Sequence, residues 1–546
     1  MSPVHAALLA QAAVDRSTIW SAPGVLITLV LILLPLLVAG WLFLLRLGAP
    51  RAAAQSTDEA NDSRGPEGVI HHVDQTGAMR VLPAKRKAMK RQPVEPAFAR
   101  LILWFIGTSV FWLLFGTTVG EYLGIKFVSP DVDHVSWLSF GRLRPVHTNA
   151  VFWGWCSLAM VGLSYYVVAR VSNVRLASLR AGWWTLGLIN AAVTLGSLCL
   201  MAGINNGGGE YREYIWPVMA LFGVGIIITL INCWVTIARR TTQEIYISNW
   251  YIIAAMMFVI IISIVAYLPF WQNGLGETIT QGYYMHQGVG MWFMMLLLGL
   301  TYYFLPQQLN TPIYSYSLGV LAFWTQIFFY TMIGTHHFIF SPIPWWLQTV
   351  AIVCSGGMIL PVAAGTANFL LTFKGSFRKV ASSYTLPFFL VGVVFYFTGS
   401  MQGTAEAFRS TNLIWHFTDF TVAHSHLTMY GIITFLLWGC IYAVVPRLTG
   451  REPPQASVGA HFWMALVGLL LYTVPLMLGG TLRGLSWLEG KPFIDSVVLM
   501  APYWLWRAIG GTLMWASHII FAFNVYKMIS GRDKSGSFAE MEGAQS

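Results

Sequence analysis

Charge is what this chain has least of. Only 10% of its 546 residues are Asp, Glu, Lys or Arg, against 56% hydrophobic residues, and a soluble chain of this length carries roughly twice that charged share. Acids are scarcer than bases, 22 against 32, which leaves a net charge of +10. The excess base gathers in loops between apolar runs, so it reads as a topology signal, and no nucleic-acid partner is expected. Cysteine is also sparse: Cys156, Cys199, Cys233, Cys354 and Cys440 each stand alone in an apolar run, which excludes a disulfide framework. Cys-x-x-Cys-His is absent, so this chain attaches no c-type haem covalently. The apolar runs approach 20 residues, where an outer-membrane barrel strand needs only about 10. The composition therefore specifies an all-α, polytopic membrane protein.

In chain order, residues 1–48 hold a first apolar run at 24–45, long enough to be a retained transmembrane anchor rather than a cleaved signal. Residues 49–100 form a basic polar linker containing Lys85-Arg86-Lys87-Ala88-Met89-Lys90-Arg91. The core, 101–530, contains twelve spans expected near 101–123, 146–169, 181–203, 215–237, 250–270, 286–306, 317–339, 346–373, 385–406, 416–446, 459–480 and 502–529. Residues 531–546 read as a cytoplasmic tail. Placing the Lys85–Arg91 run inside also puts Arg170/Arg175/Arg180, Arg239/Arg240, Lys374/Arg378/Lys379, Arg447/Arg451 and Lys527/Arg532 inside, and the linker becomes cytoplasmic.

That orientation brings six histidines to a similar depth in the outer half. His147 and His286 are expected at the outer starts of their spans, His336 and His337 at an outer end, and His424 and His426 two to three turns in. Positions i and i+2 on a helix point roughly 200° apart, so His424 and His426 present one imidazole to each of two opposite faces. Such a helix can supply an axial ligand to each of two haems. His336-His337 can both reach one ion if the helix unwinds before Pro342 and Pro344. With His286 they make a three-imidazole set suited to copper. His147 with His424 or His426 makes a bis-imidazole haem site, the other facing the copper. An organic-solute transporter would show broken helices and paired acids, and the spans hold few acids.

These residues lie in longer motifs: Phe140-Gly141-Arg142-Leu143-Arg144-Pro145-Val146-His147-Thr148, Tyr314-Ser315-Tyr316, Tyr330 through Gly334-Thr335-His336-His337, His416-Phe417-Thr418-Asp419, Ala423-His424-Ser425-His426 and Arg507-Ala508-Ile509-Gly510-Gly511. Across about 104–528 the chain resembles the catalytic subunit of the haem–copper oxygen reductases, and within them the C family, the cbb-type cytochrome c oxidases. The resemblance implies the haem–copper twelve-helix core as the catalytic unit, preceded here by one extra transmembrane helix. It implies O2 reduction in a bacterial inner membrane, c-type cytochrome subunits as partners, and proton uptake or translocation. By the same resemblance His147 and His426 would ligate a low-spin haem b, His424 a high-spin haem b, and His286, His336 and His337 the copper. Tyr330 would be the redox-active tyrosine, since the position four residues after His286 is Gly290, where the other families carry theirs. Arg142, Arg144 and Arg507 would face haem propionates, Glu213 would bind calcium, and Tyr316, Ser315 and Asn368 would mark a proton path.

Several positions depart from the family pattern: Gln402 in place of a glutamate, Ala322 in place of a histidine, and Arg483 where a neutral residue is expected. A nitric oxide reductase shares the six histidines but holds iron instead of copper, places glutamates in the pocket and lacks the tyrosine. The stretch 287–300 contains no acid and Tyr330 is present, so O2 is the expected substrate. A non-catalytic haem protein or a transporter is the more distant rival.

Overall fold

The computed structural model describes residues 71–73, 79–81, 92–207, 209–271 and 273–530. The first apolar run, the Lys85–Arg91 run and the tail lie outside the described residues. In the separate unit Leu26–Pro93 the described residues form one antiparallel hairpin, β1 (His71–Val73) with β2 (Met79–Val81). Everything else described is helical or loop.

Eleven of the described helices are long and apolar enough to cross a membrane, and a shorter one completes the expected twelve. In order they are α1 (Pro96–Val128), α2 (Phe140–Ser172), α3 (Leu179–Ala202), α4 (Trp216–Ala238), α5 (Ile247–Tyr267), α6 (Leu275–Leu309), α7 (Tyr316–Tyr330), α8 (Trp345–Thr372), α9 (Leu386–Glu406), α10 (Asp419–Thr449), α11 (Gln455–Leu488) and α12 (Phe493–Ser530). Their ends are chemically marked. Ser178 and Ser315 accept from backbone N–H groups at the starts of α3 and α7, which satisfies donors that a helix start leaves orphaned. Asn173 and Asn310 close α2 and α6 in the left-handed region, at φ of 52° and 51°, where asparagine is tolerated best after glycine.

The apolar windows of α2, α6 and α10 are 94% buried, against 39–56% for the other spans. Every fourth helix is thus an interior one, wrapped by the rest. Each interior helix also contains one π-helical segment: Ala150–Cys156, Gly288–Met294 and Leu427–Thr434. All three follow closely behind a histidine of the expected site. Indole N–H groups lash the three together, Trp292 donating to Ser157 and Trp155 to Thr434.

Three expectations about helix ends need correction. α2 starts at Phe140 and α6 at Leu275, so His147 and His286 sit two to three turns inside their helices instead of at the starts. Apolar runs mark only the part of a helix in the bilayer, and these helices continue past it through polar residues. α7 ends at Tyr330, not near 339; its 15 residues span about 22 Å, less than a full bilayer. His336 and His337 occupy a separate 3₁₀ turn, Gly334–Phe338. A Cβ at Gly334 would press on the backbone of Tyr283, 2.5 Å from its Cα, so this turn packs tightly onto α6.

Candidate functional site

α10 divides the site in two. His424 lines a cavity of about 700 Å3 shared with His286, His336, His337 and Tyr330. His426 lines another, of about 240 Å3, shared with His147. Val422, Ser425 and Met429 line both, so one helix thickness separates the cavities and the opposed aim of the two histidines is realised.

In the larger cavity the ring nitrogens of His286, His336 and His337 all lie within 4.8 Å of one another. His286 Nδ1 is 2.8 Å from His337 Nε2 and 3.1 Å from His336 Nε2. Imidazole nitrogens this close surround a single point, as they do around one small ion held at about 2 Å. Among the described residues this is the only group of three or more metal-binding side chains. The tautomer of His336 follows from its neighbour. Ser355 donates to the Ala351 carbonyl, so its Oγ accepts from His336 Nδ1–H at 2.6 Å and bare Nε2 faces the cluster. His286 is the reverse case: Nδ1 faces the cluster and Nε2 is buried without a protein partner. The His286 ring stacks on Tyr330, centroids 4.7 Å apart and planes 22° apart. Tyr330 fills the space beside Gly290, where any Cβ would overlap its ring.

The smaller cavity holds a matched pair. His147 donates through Nδ1 to the Gly116 carbonyl at 2.7 Å, and His426 through Nδ1 to the Val422 carbonyl at 2.9 Å. Both present a bare Nε2, the arrangement that outer hydrogen bonds give to metal-binding histidines. Their rings are nearly parallel, 14° between planes and 6.4 Å between centroids. That separation suits two axial imidazoles on one iron, and Gly120 supplies the clearance, since a Cβ there would come within 2.5 Å of the His147 ring. His424 is held likewise, Nδ1 donating to Gln402 Oε1 at 3.0 Å. The donor sets fit a bis-imidazole haem in one cavity and a mono-imidazole haem beside a three-imidazole metal in the other.

The remaining expected residues divide. Arg144 and Arg507 line the smaller cavity; Arg144 also pairs with Glu210 at 2.5 Å. Arg142 turns away and donates to the Met201 carbonyl. Glu213 accepts from Asn149 Nδ2 at 2.9 Å, and burial pushes its carboxyl up to about 7. Ser315 caps α7, its backbone N–H donates to Asn368 Oδ1, and Asn368 Nδ2 donates back to the Ser315 carbonyl. Tyr316 is exposed and donates weakly to the Ile245 carbonyl.

Four features escaped the sequence reading. Arg483 is no anomaly: it pairs at 2.9 Å with buried Asp419, which also accepts from Trp504 and lies 3.9 Å from Arg507. Gln402, noted in the sequence as standing in place of a glutamate, orients His424. Glu406, one turn further along α9, lines the larger cavity, and its Oε1 is buried without a partner. Tyr302 links Asn368 to the interior. The i+4 spacing of Gln402 and Glu406 was the available signal for a shared face.

The sequence pattern of the family described as cytochrome c and quinol oxidase polypeptide I matches residues 100–513. A cytochrome c oxidase subunit 1 homolog of Agrobacterium tumefaciens (strain T37) is 29% identical over 80% of this chain and 85% of its own. The cbb3-type cytochrome c oxidase subunit CcoN1 of Stutzerimonas stutzeri is 29% identical over 79% of this chain and 94% of its own. Cytochrome c oxidase subunit 1 of Rhodobacter capsulatus is 30% identical over 79% and 85%. The fold matches that of a heme-copper terminal oxidase solved as a dimer, with a TM-score of 0.68, 17% identity, and coverage of 81% of this chain and 86% of that one.

Proposed function

The chain belongs to the cytochrome c and quinol oxidase polypeptide I family, and from that premise we propose that it is the catalytic subunit of a cbb-type terminal oxidase, reducing O2 with four electrons and four protons to two waters. The observation that carries the reading is Tyr330 stacked on His286 of the three-imidazole cluster. His147 and His426 would hold a low-spin haem b, His424 a high-spin haem b, and His286, His336 and His337 a copper ion. Groups so held would supply the redox chemistry: the site of His147 and His426 would relay electrons, and that of His424 with the three-imidazole cluster would contribute three of the four electrons needed to cleave O2. Tyr330 supplies the fourth, with its phenolic proton. Its ring stacks on that of His286, whose Nδ1 is turned to the cluster and whose Nε2 has no protein partner, so Nε2 is the ring nitrogen of that residue left for a covalent bond to the tyrosine.

Around that centre the chain positions rather than reacts. Ser355 and Gln402 fix the tautomers of His336 and His424. Arg144 and Arg507 would meet propionates in the smaller cavity, with Asp419 and Glu210 balancing their charge. Protons would reach the centre from the cytoplasm past Tyr316, Ser315 and Asn368 and on through Tyr302. Calcium at Glu213 would need neutral oxygens beside the one carboxylate, since calcium takes six to eight oxygen ligands. The electron-donating partners would be c-type cytochrome subunits in a bacterial inner membrane, consistent with the cbb3-type relative.

Replacing Tyr330 with Phe tests the reading. The variant is expected to keep both haems and the copper and to lose nearly all steady-state O2 reduction, and peptide mapping of the parent should find Tyr330 joined to His286. Wild-type turnover by the variant, with no joined peptide in the parent, would sink it. One observation favours a second reading, nitric oxide reduction: Glu406 places a buried acid in the cavity, with one of its oxygens, Oε1, lacking a partner. Metal analysis separates the two, copper for the oxidase and non-haem iron for the alternative.

A further inference from the structure

Two buried histidines belong to neither metal set. His461 on α11 and His518 on α12 are 0% and 1% exposed. His518 lines the cavity of the bis-imidazole pair together with Thr117 and Tyr430. Thr117 Oγ1 donates to the Leu113 carbonyl at 2.7 Å, so it accepts from His518 Nδ1–H at 3.1 Å. Nε2 is then bare and accepts from Tyr430 O–H at 3.1 Å. A third group waits beside them. Ser517 donates to the Met514 carbonyl at 2.6 Å and offers its oxygen to Tyr430 at 3.3 Å. If His518 gains a proton, Nε2–H donates to the Tyr430 oxygen and the phenol hydrogen turns to Ser517. Every donor keeps an acceptor in both states, so protonation breaks no hydrogen bond.

A second hydrogen-bonded chain approaches from the other end of the same seam. Ser457 donates to Asn524 Oδ1 at 2.6 Å, Asn524 Nδ2 donates to the Tyr442 oxygen at 3.0 Å, and Tyr442 O–H therefore donates to His461 Nδ1 at 3.0 Å. This leaves His461 Nε2–H buried without a partner, as is the indole N–H of Trp438. The Trp438 ring lies 4.4 Å from the His461 ring and 5.8 Å from the His518 ring, so it bridges the two clusters. Orphaned donors on two adjoining buried rings are groups that an ordered buried water can satisfy. The chain begins at the end of the bundle that carries Arg447, Arg451 and Lys527.

We propose that His518 is the proton acceptor coupled to the bis-imidazole site: when that site takes one electron from its donor, His518 takes one proton from the basic face along the seam of α10, α11 and α12, and returns it when the electron leaves. The inference rests on a haem occupying that site. An electron added in a dry cavity is an uncompensated charge, and a proton nearby offsets it. The titratable or charged groups that share its cavity are Glu121 on α1, Arg144 and His147 on α2, Glu210 and Tyr211 before α4, Asp419, His426 and Tyr430 on α10, Tyr472 on α11 and Arg507 on its own helix, and His461 on α11 lies beyond the Trp438 ring. Glu121 is the competitor, since its Oε2 is buried without a partner and it lines the same cavity.

The test is a spectroelectrochemical titration of the low-spin absorption in the intact complex across about pH 5 to 9, spanning the range of about pH 5 to 8 where a histidine changes charge. The wild-type midpoint potential should fall with rising pH. His518→Asn and His518→Gln should lose that slope while keeping the bis-imidazole spectrum, and Glu121→Gln should keep both. His461→Phe should keep the slope and slow proton uptake after pulsed reduction by about tenfold or more. A pH-independent wild-type potential, an unchanged slope in both His518 variants, or loss of the slope in Glu121→Gln would overturn the assignment of His518. An unchanged uptake rate in His461→Phe would overturn the route. Absence of a low-spin absorption in the parent would instead defeat the function it rests on.

Discussion

Hydrogen bonds at Nδ1 decide which nitrogen four of the six imidazoles turn to their cavities. His147, His336, His424 and His426 all donate there, to Gly116, Ser355, Gln402 and Val422, and all present Nε2. Because His424 and His426 serve different cavities, their loss should be separable. His426→Ala is expected to abolish the low-spin spectrum and leave CO binding, and His424→Ala to abolish CO binding and leave the low-spin spectrum. Optical spectra of the purified variants check it, and identical spectra from both would contradict the division by α10. A different residue carries pH dependence. The Glu213 carboxyl, in the loop between α3 and α4, is pushed by burial from its ordinary 4.5 to about 7. The folded state therefore binds more protons than the unfolded state between those values. Stability from this group is full below about 4.5 and is lost as pH rises through about 7, by on the order of 3 kcal/mol. Thermal unfolding from pH 5 to 8 should show a steeper decline for the wild type than for Glu213→Gln. Added calcium should remove the difference if that ion binds the ionised form.

The three interior helices show which features the sequence made legible and which it hid. Their apolar runs and the twelve-span count were readable because about 20 consecutive apolar residues have one physical use. The two faces of α10 were readable because His424 and His426 are two residues apart on a fixed rotation. The π-helical segments were not. They shift the register behind each histidine by one residue, and a run such as Leu427–Thr434 is apolar on every side, so no periodicity betrays the change. Side-chain bonds to carbonyls five residues back, Ser157 to Phe152 and Thr434 to Met429, appear only in three dimensions. The glycines within these segments mark where the next layer enters. A Cβ at Gly154 would lie 2.7 Å from the Trp112 side chain and one at Gly431 3.0 Å from the Phe395 ring. Gly290 admits Tyr330. Gly290→Ala should thus expel the Tyr330 ring from its place against His286. The variant is expected to retain the low-spin spectrum of the cavity on the other side of α10, to lose most O2 reduction, and to yield no Tyr330–His286 peptide. Overpacking of this kind typically costs about 1–3 kcal/mol, so a lowered unfolding temperature should accompany the loss.

At the scale of the whole molecule, the alternation of basic and acidic loops sets the direction of the chemistry. Connections after α2, α4, α8 and α10 carry Arg170 and Arg175, Arg239 and Arg240, Lys374, Arg378 and Lys379, and Arg447 and Arg451; Lys527 closes α12. The opposite connections hold Asp131 and Asp133, Glu210 and Glu213, and Glu489 and Asp495, with few bases, most of them paired. Arg144 bonds Glu210, Arg212 bonds Glu277, and Lys491 bonds Glu489. If the basic loops face the cytoplasm, as the positive-inside rule predicts, the acidic end and the shallow side of both cavities would lie outside. Under the proposed function, electrons from an external donor would then have a short path, whereas protons from the cytoplasm would have to cross most of the bilayer past buried polar groups. A reporter inserted at Lys491 should behave as external, and one inserted at Lys374 as cytoplasmic. So should one in the Lys85–Arg91 run. An external signal from Lys374 would reverse the direction of proton uptake for both the Tyr316–Asn368 route and the Ser457–His461 seam. It would leave the metal sets untouched, because their geometry does not depend on which side of the membrane faces the cell.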